Sequence, residues 1–117
     1  MTIKPMAAVF DHDWVKKLEG VDNVKTGNNK WELAEALRQD IRAFKKDNDC
    51  DRLVMVWCAS TEAYRPLTKV HESVKTFEKG LKDNDENISP GQIYAYAAIK
   101  SRVPYANGTP SLCVDIP

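Results

Sequence analysis

One apolar run, at residues 53–57, contains no polar residue and is followed directly by Cys58, Ala59, Ser60 and Thr61. A strand with one solvent-facing side alternates apolar and polar residues, whereas an unbroken run is typical of a central strand in a parallel sheet. We therefore predict a strand that is buried on both faces. Ligands of open α/β sheets bind beyond the carboxyl ends of strands, so residues 58–61 are a candidate site. A plain strand-to-loop exit is the alternative, because no glycine-rich phosphate loop accompanies the run.

Two further stretches have apolar residues at helical spacing. Within 30–47 these are Leu33, Ala34, Leu37, Ile41 and Phe44, and within 70–81 they are Val70, Val74, Phe77 and Leu81. Such stripes predict two amphipathic helices that pack on a sheet, the second with a last turn weakened by Gly80. The polar residues 82–87 lack the glycine and terminal glutamate of an EF-hand loop, so we interpret them as a solvated connector.

A third helix has the clearest start signal in the chain. Ser89 is suited to cap it, Pro90 to occupy its first position, and Gln92 to complete a capping box. The residues that follow, 93–99, include several alanines suited to close packing. Tyr94 and Tyr96 are able to stack on a ligand, but we favour packing as their role.

Residues 103–106 form a second short apolar segment, which ends in Asn107-Gly108-Thr109-Pro110. Asn-Gly permits a hairpin, yet no returning strand follows it, so we interpret this segment as a second strand tip. Two helices between the strands imply a parallel pair with a right-handed connection. Residues 7–10 and 112–116 are candidates for additional strands.

The predicted organisation is a leading segment, residues 1–29, and an αβααβ core, residues 30–117. In the leading segment, Asp11 is suited to cap a brief helix that carries Trp14, Val15 and Leu18. The fold class is therefore α/β, with a parallel sheet and flanking helices. A strand that is buried on both faces needs neighbouring strands and covering helices, and the sequence predicts too few strands to supply them. We therefore interpret the 117 residues as a single fragment of a larger domain.

Composition excludes several classes of partner. Lysine and arginine number 17, as do aspartate and glutamate, so no net charge favours nucleic acid or an anionic membrane. The three cysteines lack CxxC spacing, which indicates reduced thiols, and neither His12 nor His71 has the short spacing to a cysteine that a zinc site requires. The chain has no apolar run of membrane-spanning length and no secretory leader at its start. We expect a cytoplasmic protein with no metal site, no membrane partner and no nucleic-acid partner.

Three segments together resemble the central part of the myo-inositol-1-phosphate synthase family. They are Val-Trp-Cys-Ala-Ser-Thr-Glu-Ala-Tyr at 56–64, Ile-Ser-Pro at 88–90, and Val-Pro-Tyr-Ala-Asn-Gly-Thr-Pro at 103–110. In that family the corresponding stretches read approximately LWTANTERY, ISP before a helix, and VPFINGSP, in the same order. The resemblance covers most of the chain from about Leu37 onward. It departs from the commoner pattern at Cys58, Ser60 and Ala63, which stand in place of Thr, Asn and Arg.

The resemblance implies a partial Rossmann-like domain of an NAD-dependent isomerase that converts glucose 6-phosphate to inositol phosphate and forms a homotetramer. In the family, NAD oxidises the substrate at C5, an intramolecular aldol step closes the ring, and the same cofactor reduces the ketone. By position, Cys58, Ala59, Ser60, Thr61, Gly108 and Thr109 match the residues that contact NAD. The family's glycine-rich loop and catalytic lysines fall outside the matching stretch, so we assign no catalytic residue to this chain.

Two other functions remain open from the sequence. One is a non-catalytic nucleotide-binding or subunit-interaction module that has kept the strand tips and lost the chemistry. The other is a reactive-cysteine enzyme built on Cys58, which needs a histidine such as His71 close to it in space.

Overall fold

A computed structural model describes residues 6–10 and 23–116 of the chain. Its elements are α1 (Lys30–Asp47), β1 (Met55–Trp57), a 3-10 turn (Lys69–His71), α2 (Val74–Lys82), α3 (Pro90–Lys100) and β2 (Tyr105–Asn107). The two strands pair in parallel, with Met55 opposite Tyr105 and Trp57 opposite Asn107. The αβααβ order and the parallel pairing are therefore confirmed. The predicted helix with Trp14, Val15 and Leu18 lies outside the described residues.

Helix α1 begins and ends where its apolar stripe predicts. The Asn29 side chain caps it by accepting a hydrogen bond from the Glu32 N–H at 2.9 Å, as expected for a helix start. Ala34 and Leu37 are buried, and α1 packs along α3 through this face. Phe44, predicted to belong to the same buried stripe, is 47% exposed because the last turn extends past the core.

The predicted second helix is broken into two pieces. Val70 is buried on the 3-10 turn, and Ser73 then restarts the chain as α2 by accepting a hydrogen bond from the Thr76 N–H. The restart changes which residues share a face, so Val74 is exposed although its spacing predicted burial. Phe77 and Leu81 are buried as predicted.

The end of α2 and the connector after it pack tightly. Gly80 is buried, and a Cβ at this position would lie 2.1 Å from Val70 Cγ2. In the connector, Asn84 accepts a hydrogen bond from the Lys30 N–H at 2.8 Å and donates one to the Asn28 carbonyl at 3.0 Å. The connector is largely exposed, as predicted, but it is also bonded to the start of α1.

Helix α3 is the centre of the core and begins as predicted. Ser89 Oγ accepts from the Gln92 N–H, and Gln92 Oε1 accepts from the Ser89 N–H, which completes the capping box. Both tyrosines of α3 serve packing. The Tyr94 hydroxyl accepts from the Val9 N–H at 3.0 Å, and the Tyr96 hydroxyl donates to a Glu78 carboxylate oxygen at 2.9 Å.

The predicted burial of β1 on both faces is wrong for the residues that the structure describes. Val54 is 65% exposed and Val56 is 59% exposed, whereas Met55 and Trp57 are half-buried, and the Trp57 ring packs against Tyr94 of α3. The described helices cover one face of the two-stranded sheet, so an unbroken apolar sequence still has one open side. Residues 112–116 form no strand, with bends at Cys113 and Val114, and Ala8 makes only an isolated bridge with Val24.

Among the described residues, no helix is both long enough and apolar enough to cross a membrane. The same ranges contain no group of three or more histidine, cysteine, aspartate or glutamate side chains placed to hold a metal ion.

Candidate functional site

The carboxyl ends of the two strands are joined by a hydrogen bond. The Gly108 N–H donates to the Trp57 carbonyl at 2.8 Å, which continues the parallel ladder one residue past β2. Because the strands are parallel and in register, residues 58–61 and residues 108–109 leave the same edge of the sheet. The structure thus brings together the two segments that the sequence separates by about half its length.

The first tip is open to solvent. Cys58, Ala59, Ser60 and Thr61 are all exposed, and no hydrogen bond within the described residues engages the hydroxyls of Ser60 or Thr61. These hydroxyls can both donate to and accept from a ligand. Ala59 adds little bulk between them, so a flat group is able to approach the backbone.

The second tip offers space at Gly108. Among the described residues, and leaving aside its two chain neighbours, a Cβ added here would meet only the Trp57 carbonyl oxygen, at 3.1 Å. The outer side of Gly108 is therefore open, while its inner side lies tightly against β1. A larger residue would obstruct a ligand and would also crowd the pairing of the two strands.

Thr109 is more engaged than its sequence position suggests. Its hydroxyl donates to Asn107 Oδ1 at 2.9 Å and accepts from the Ser111 N–H at 3.2 Å. The hydroxyl hydrogen is thus used inside the loop, and Thr109 can offer a cofactor only a remaining oxygen lone pair.

Asn107 organises this loop, a role that the sequence reasoning missed. Its Oδ1 accepts from the Thr109 N–H at 3.0 Å, and its Nδ2 donates to the Ser111 carbonyl at 2.7 Å. Asparagine side chains commonly stabilise turns by bonding the backbone two residues ahead. An asparagine directly before Gly108 was therefore the sequence signal for this role.

A small cleft of about 110 Å³ lies between the tips and the start of α3. Its lining includes Thr61, Glu62, Gln92 and Ser111. Glu62 bonds to both sides of this cleft. Its carboxylate accepts from the Gly91 N–H at 2.7 Å, and its own N–H donates to Ser111 Oγ at 3.1 Å.

The geometry gives no support to a reactive-cysteine site at Cys58. His71 is buried, and its Nδ1 accepts from the Thr68 N–H at 3.0 Å. Its Nε2 lies 3.2 Å from Gln92 Oε1, which accepts its hydrogen in the matching tautomer. Both ring nitrogens of His71 are therefore committed to the core. Burial also raises the pKa of the Cys113 thiol, which leaves that cysteine a poor nucleophile.

These features fit a nucleotide cofactor better than a metal. Two neighbouring strand tips present exposed hydroxyls, small side chains and one glycine with an open outer side. Parallel strands connected through helices, with such tips at their carboxyl ends, define an α/β domain of the Rossmann-like class.

Comparison with known protein families agrees with this class. A family model of an NAD-binding domain, described as myo-inositol-1-phosphate synthase, matches residues 1–117. The chain therefore belongs to the myo-inositol-1-phosphate synthase family, and NAD is the cofactor of the matched domain.

The similar proteins are named inositol-3-phosphate synthases. The chain is 53% identical to inositol-3-phosphate synthase 1 of Bacteroides thetaiotaomicron, over 98% of this chain and 27% of that protein. It is 36% identical to the inositol-3-phosphate synthase of Trypanosoma brucei brucei, over 96% of this chain and 22% of that protein. The crystal structure of the Caenorhabditis elegans inositol-3-phosphate synthase has a TM-score of 0.84 at 27% identity, covering 94% of this chain and 22% of that one. The chain thus spans about a quarter of the length of these relatives.

Proposed function

We propose that this chain supplies one wall of the NAD site in a longer NAD-dependent isomerase that converts glucose 6-phosphate to myo-inositol phosphate. The observation that carries the proposal is the bond between the Gly108 N–H and the Trp57 carbonyl, which holds both candidate cofactor-contacting segments at one sheet edge. The relatives named above bear the name of this synthase, and the proposal extends their activity to the full-length form of this protein.

The residues of this chain act by binding and orienting rather than by proton transfer. NAD supplies the hydride chemistry when bound. Ser60 and Thr61 are placed to hydrogen-bond its polar groups, Ala59 and Gly108 to let its flat rings approach the backbone, and Thr109 to accept one hydrogen bond. Cys58 is exposed beside them and adds a small polarisable contact. No residue of the chain is proposed as an acid or a base in the reaction.

The open face of the sheet supports the idea of a longer protein. Val54 and Val56 expose most of their side chains on β1, and exposed apolar side chains on a parallel sheet are ordinarily covered. We propose that further parts of the same polypeptide cover this face. A homotetrameric assembly, as the family resemblance implies, and a cytoplasmic location, as the pattern of three reduced cysteines suggests, complete the proposal.

The test uses the full-length protein and a substitution that removes a cofactor contact without disturbing the sheet. Ser60→Ala deletes an exposed hydroxyl with no partner among the described residues, and we expect NAD to bind about three- to tenfold more weakly. Ser73→Ala, at the exposed cap of α2, is the control and leaves the affinity unchanged. The affinity is measured by calorimetric titration with NAD, and product formation from glucose 6-phosphate is assayed separately.

The outcomes separate the candidate functions. Conversion of glucose 6-phosphate in the presence of NAD supports the synthase. NAD binding without any product would instead support the non-catalytic nucleotide-binding module. Unchanged NAD affinity in Ser60→Ala would remove Ser60 from the site.

A further inference from the structure

Glu62 is the residue that connects the two strand tips to the core. It follows directly on the first tip and is partly buried, unlike the four exposed residues before it. Its carboxylate and its backbone N–H each bond a different element. It has no place in the set of residues assigned to the cofactor from the sequence.

The first connection is from the carboxylate to the start of α3. Glu62 Oε1 accepts from the Gly91 N–H at 2.7 Å, a charge-assisted bond at the positive end of a helix. The helix start is itself fixed by the capping box of Ser89 and Gln92. The first tip is therefore anchored to a helix start that is itself held by side-chain hydrogen bonds.

Gly91 gives independent support for this connection. A Cβ at residue 91 would lie 2.9 Å from Glu62 Oε2 and 2.4 Å from Cys113 Sγ. Any side chain there would push the carboxylate away from the helix start and displace the segment that follows the second tip. The absence of a side chain at Gly91 is thus a requirement of the Glu62 contact.

The second connection is from the Glu62 backbone to the second tip. Its N–H donates to Ser111 Oγ at 3.1 Å, and the Ser111 N–H donates to Thr109 Oγ1 at 3.2 Å. Thr109 in turn bonds Asn107 at the end of β2. A continuous set of hydrogen bonds therefore runs from one tip to the other through Glu62.

We propose that Glu62 is a positioning residue for the dinucleotide, because its carboxylate fixes the first tip, which is paired with the second tip through the Gly108–Trp57 bond, against the start of α3. This inference rests on the proposed function, since it concerns the same NAD site. Glu62 does not touch the cofactor itself. It acts by fixing residues 58–61, and with them the paired residues 108–109, relative to the start of α3, so that both segments contact one molecule of NAD.

The experiment measures the dissociation constant of NAD for variants of the full-length protein. Glu62→Ala removes the carboxylate contact, and we expect binding to weaken about tenfold, since a charge-assisted bond fixes the tip. Glu62→Gln keeps an oxygen acceptor for the Gly91 N–H and is expected to stay within about threefold of the wild type. Gly91→Ala retains Glu62 but displaces its carboxylate, and is expected to weaken NAD binding as Glu62→Ala does.

Ser73→Ala separates positioning from general stability. It removes a helix cap whose side-chain hydrogen bonds are to Thr76 and not to either tip, and thermal unfolding of each variant shows how much stability is lost. If Ser73→Ala weakens NAD binding as much as Glu62→Ala does, the effect is one of stability and the inference is wrong. It is also wrong if Glu62→Ala binds NAD normally while Ser60→Ala does not. If neither Ser60→Ala nor Glu62→Ala changes the affinity, the proposed site itself fails.

Discussion

In Gly80→Ala, helix propensity favours alanine whereas packing against Val70 disfavours it. We expect the packing cost to be the larger of the two. By propensity alone, alanine in place of a glycine within α2 would stabilise the helix by about 1 kcal/mol. However, the new Cβ would lie 2.1 Å from Val70 Cγ2 and 3.0 Å from Ile88 Cδ1. Carbon atoms in contact normally lie about 3.5–4.0 Å apart, so Val70 would have to move by about 1.5 Å.

Val70 cannot make that movement easily. It is a β-branched residue with restricted rotamers, and it is buried on the 3-10 turn against α2. Overpacking of this kind costs about 1–3 kcal/mol, and a clash this short belongs near the upper end. After the gain in propensity is subtracted, we expect Gly80→Ala to destabilise the fold by about 1–2 kcal/mol.

Hydrogen exchange followed by mass spectrometry measures this change in the intact protein. We expect amide protection in Val74–Lys82 and Pro90–Lys100 to fall by about 5- to 30-fold in Gly80→Ala. Val70→Ala alone is also destabilising, because it leaves a cavity. The double variant should lose less than the sum of the two, since the new methyl group occupies the space that Val70 gives up. Unchanged or increased protection in Gly80→Ala would refute the reasoning.

Two further predictions concern pH and thiol reactivity. Glu78 accepts hydrogen bonds from Lys100 at 2.8 Å and Tyr96 at 2.9 Å, which hold its pKa below the ordinary value of 4.5. The contribution of ionised Glu78 to the free energy of unfolding is therefore complete above pH 4.5 and is lost as the pH falls through the lowered pKa. Glu78→Gln should lower the free energy of unfolding by about 0.2–1 kcal/mol at neutral pH, since the pair is partly exposed, and by progressively less as the pH falls below 4.5 in urea titrations. A loss that stays the same as the pH falls would contradict this. In timed alkylation read by mass spectrometry, Cys58 should react at the rate of an ordinary exposed thiol, whereas Cys113 should react only on unfolding, because burial raises its pKa. Rapid labelling of Cys113 in the native protein would be inconsistent with its place in the core.

Local signals in the sequence were enough to predict the order of elements. The capping box at Ser89 and the stripe of α1 depend on residues three or four apart, so they are visible without a tertiary structure. The parallel pairing was expected from the length of the connection, because a crossover of two helices is long enough to return the chain to the same end of the sheet. The residues at the two strand tips were identifiable from the sequence, because each tip directly follows the apolar residues of its strand.

Features that depend on contacts between distant segments were not accessible in this way. The spacing of Val74 predicted burial, but Ser73 ends one turn and starts another, and only the folded chain shows which face results. The apolar run of β1 indicated two covered faces, while the described helices cover one. Gly80, expected to weaken a helix end, also allows Val70 to pack against it, which only the folded chain shows.

The candidate site likewise has some features that the sequence determines and others that depend on the folded chain. The sequence by itself determined which residues stand at the ends of the two strands, because strand ends are set by local composition. Only the tertiary structure determined how those ends are held together. Glu62, Gly91 and Ser111 are 20 or more residues apart along the chain, and their hydrogen bonds form only when β1, α3 and β2 have packed. The spacing between the tips is therefore a property of the assembled core.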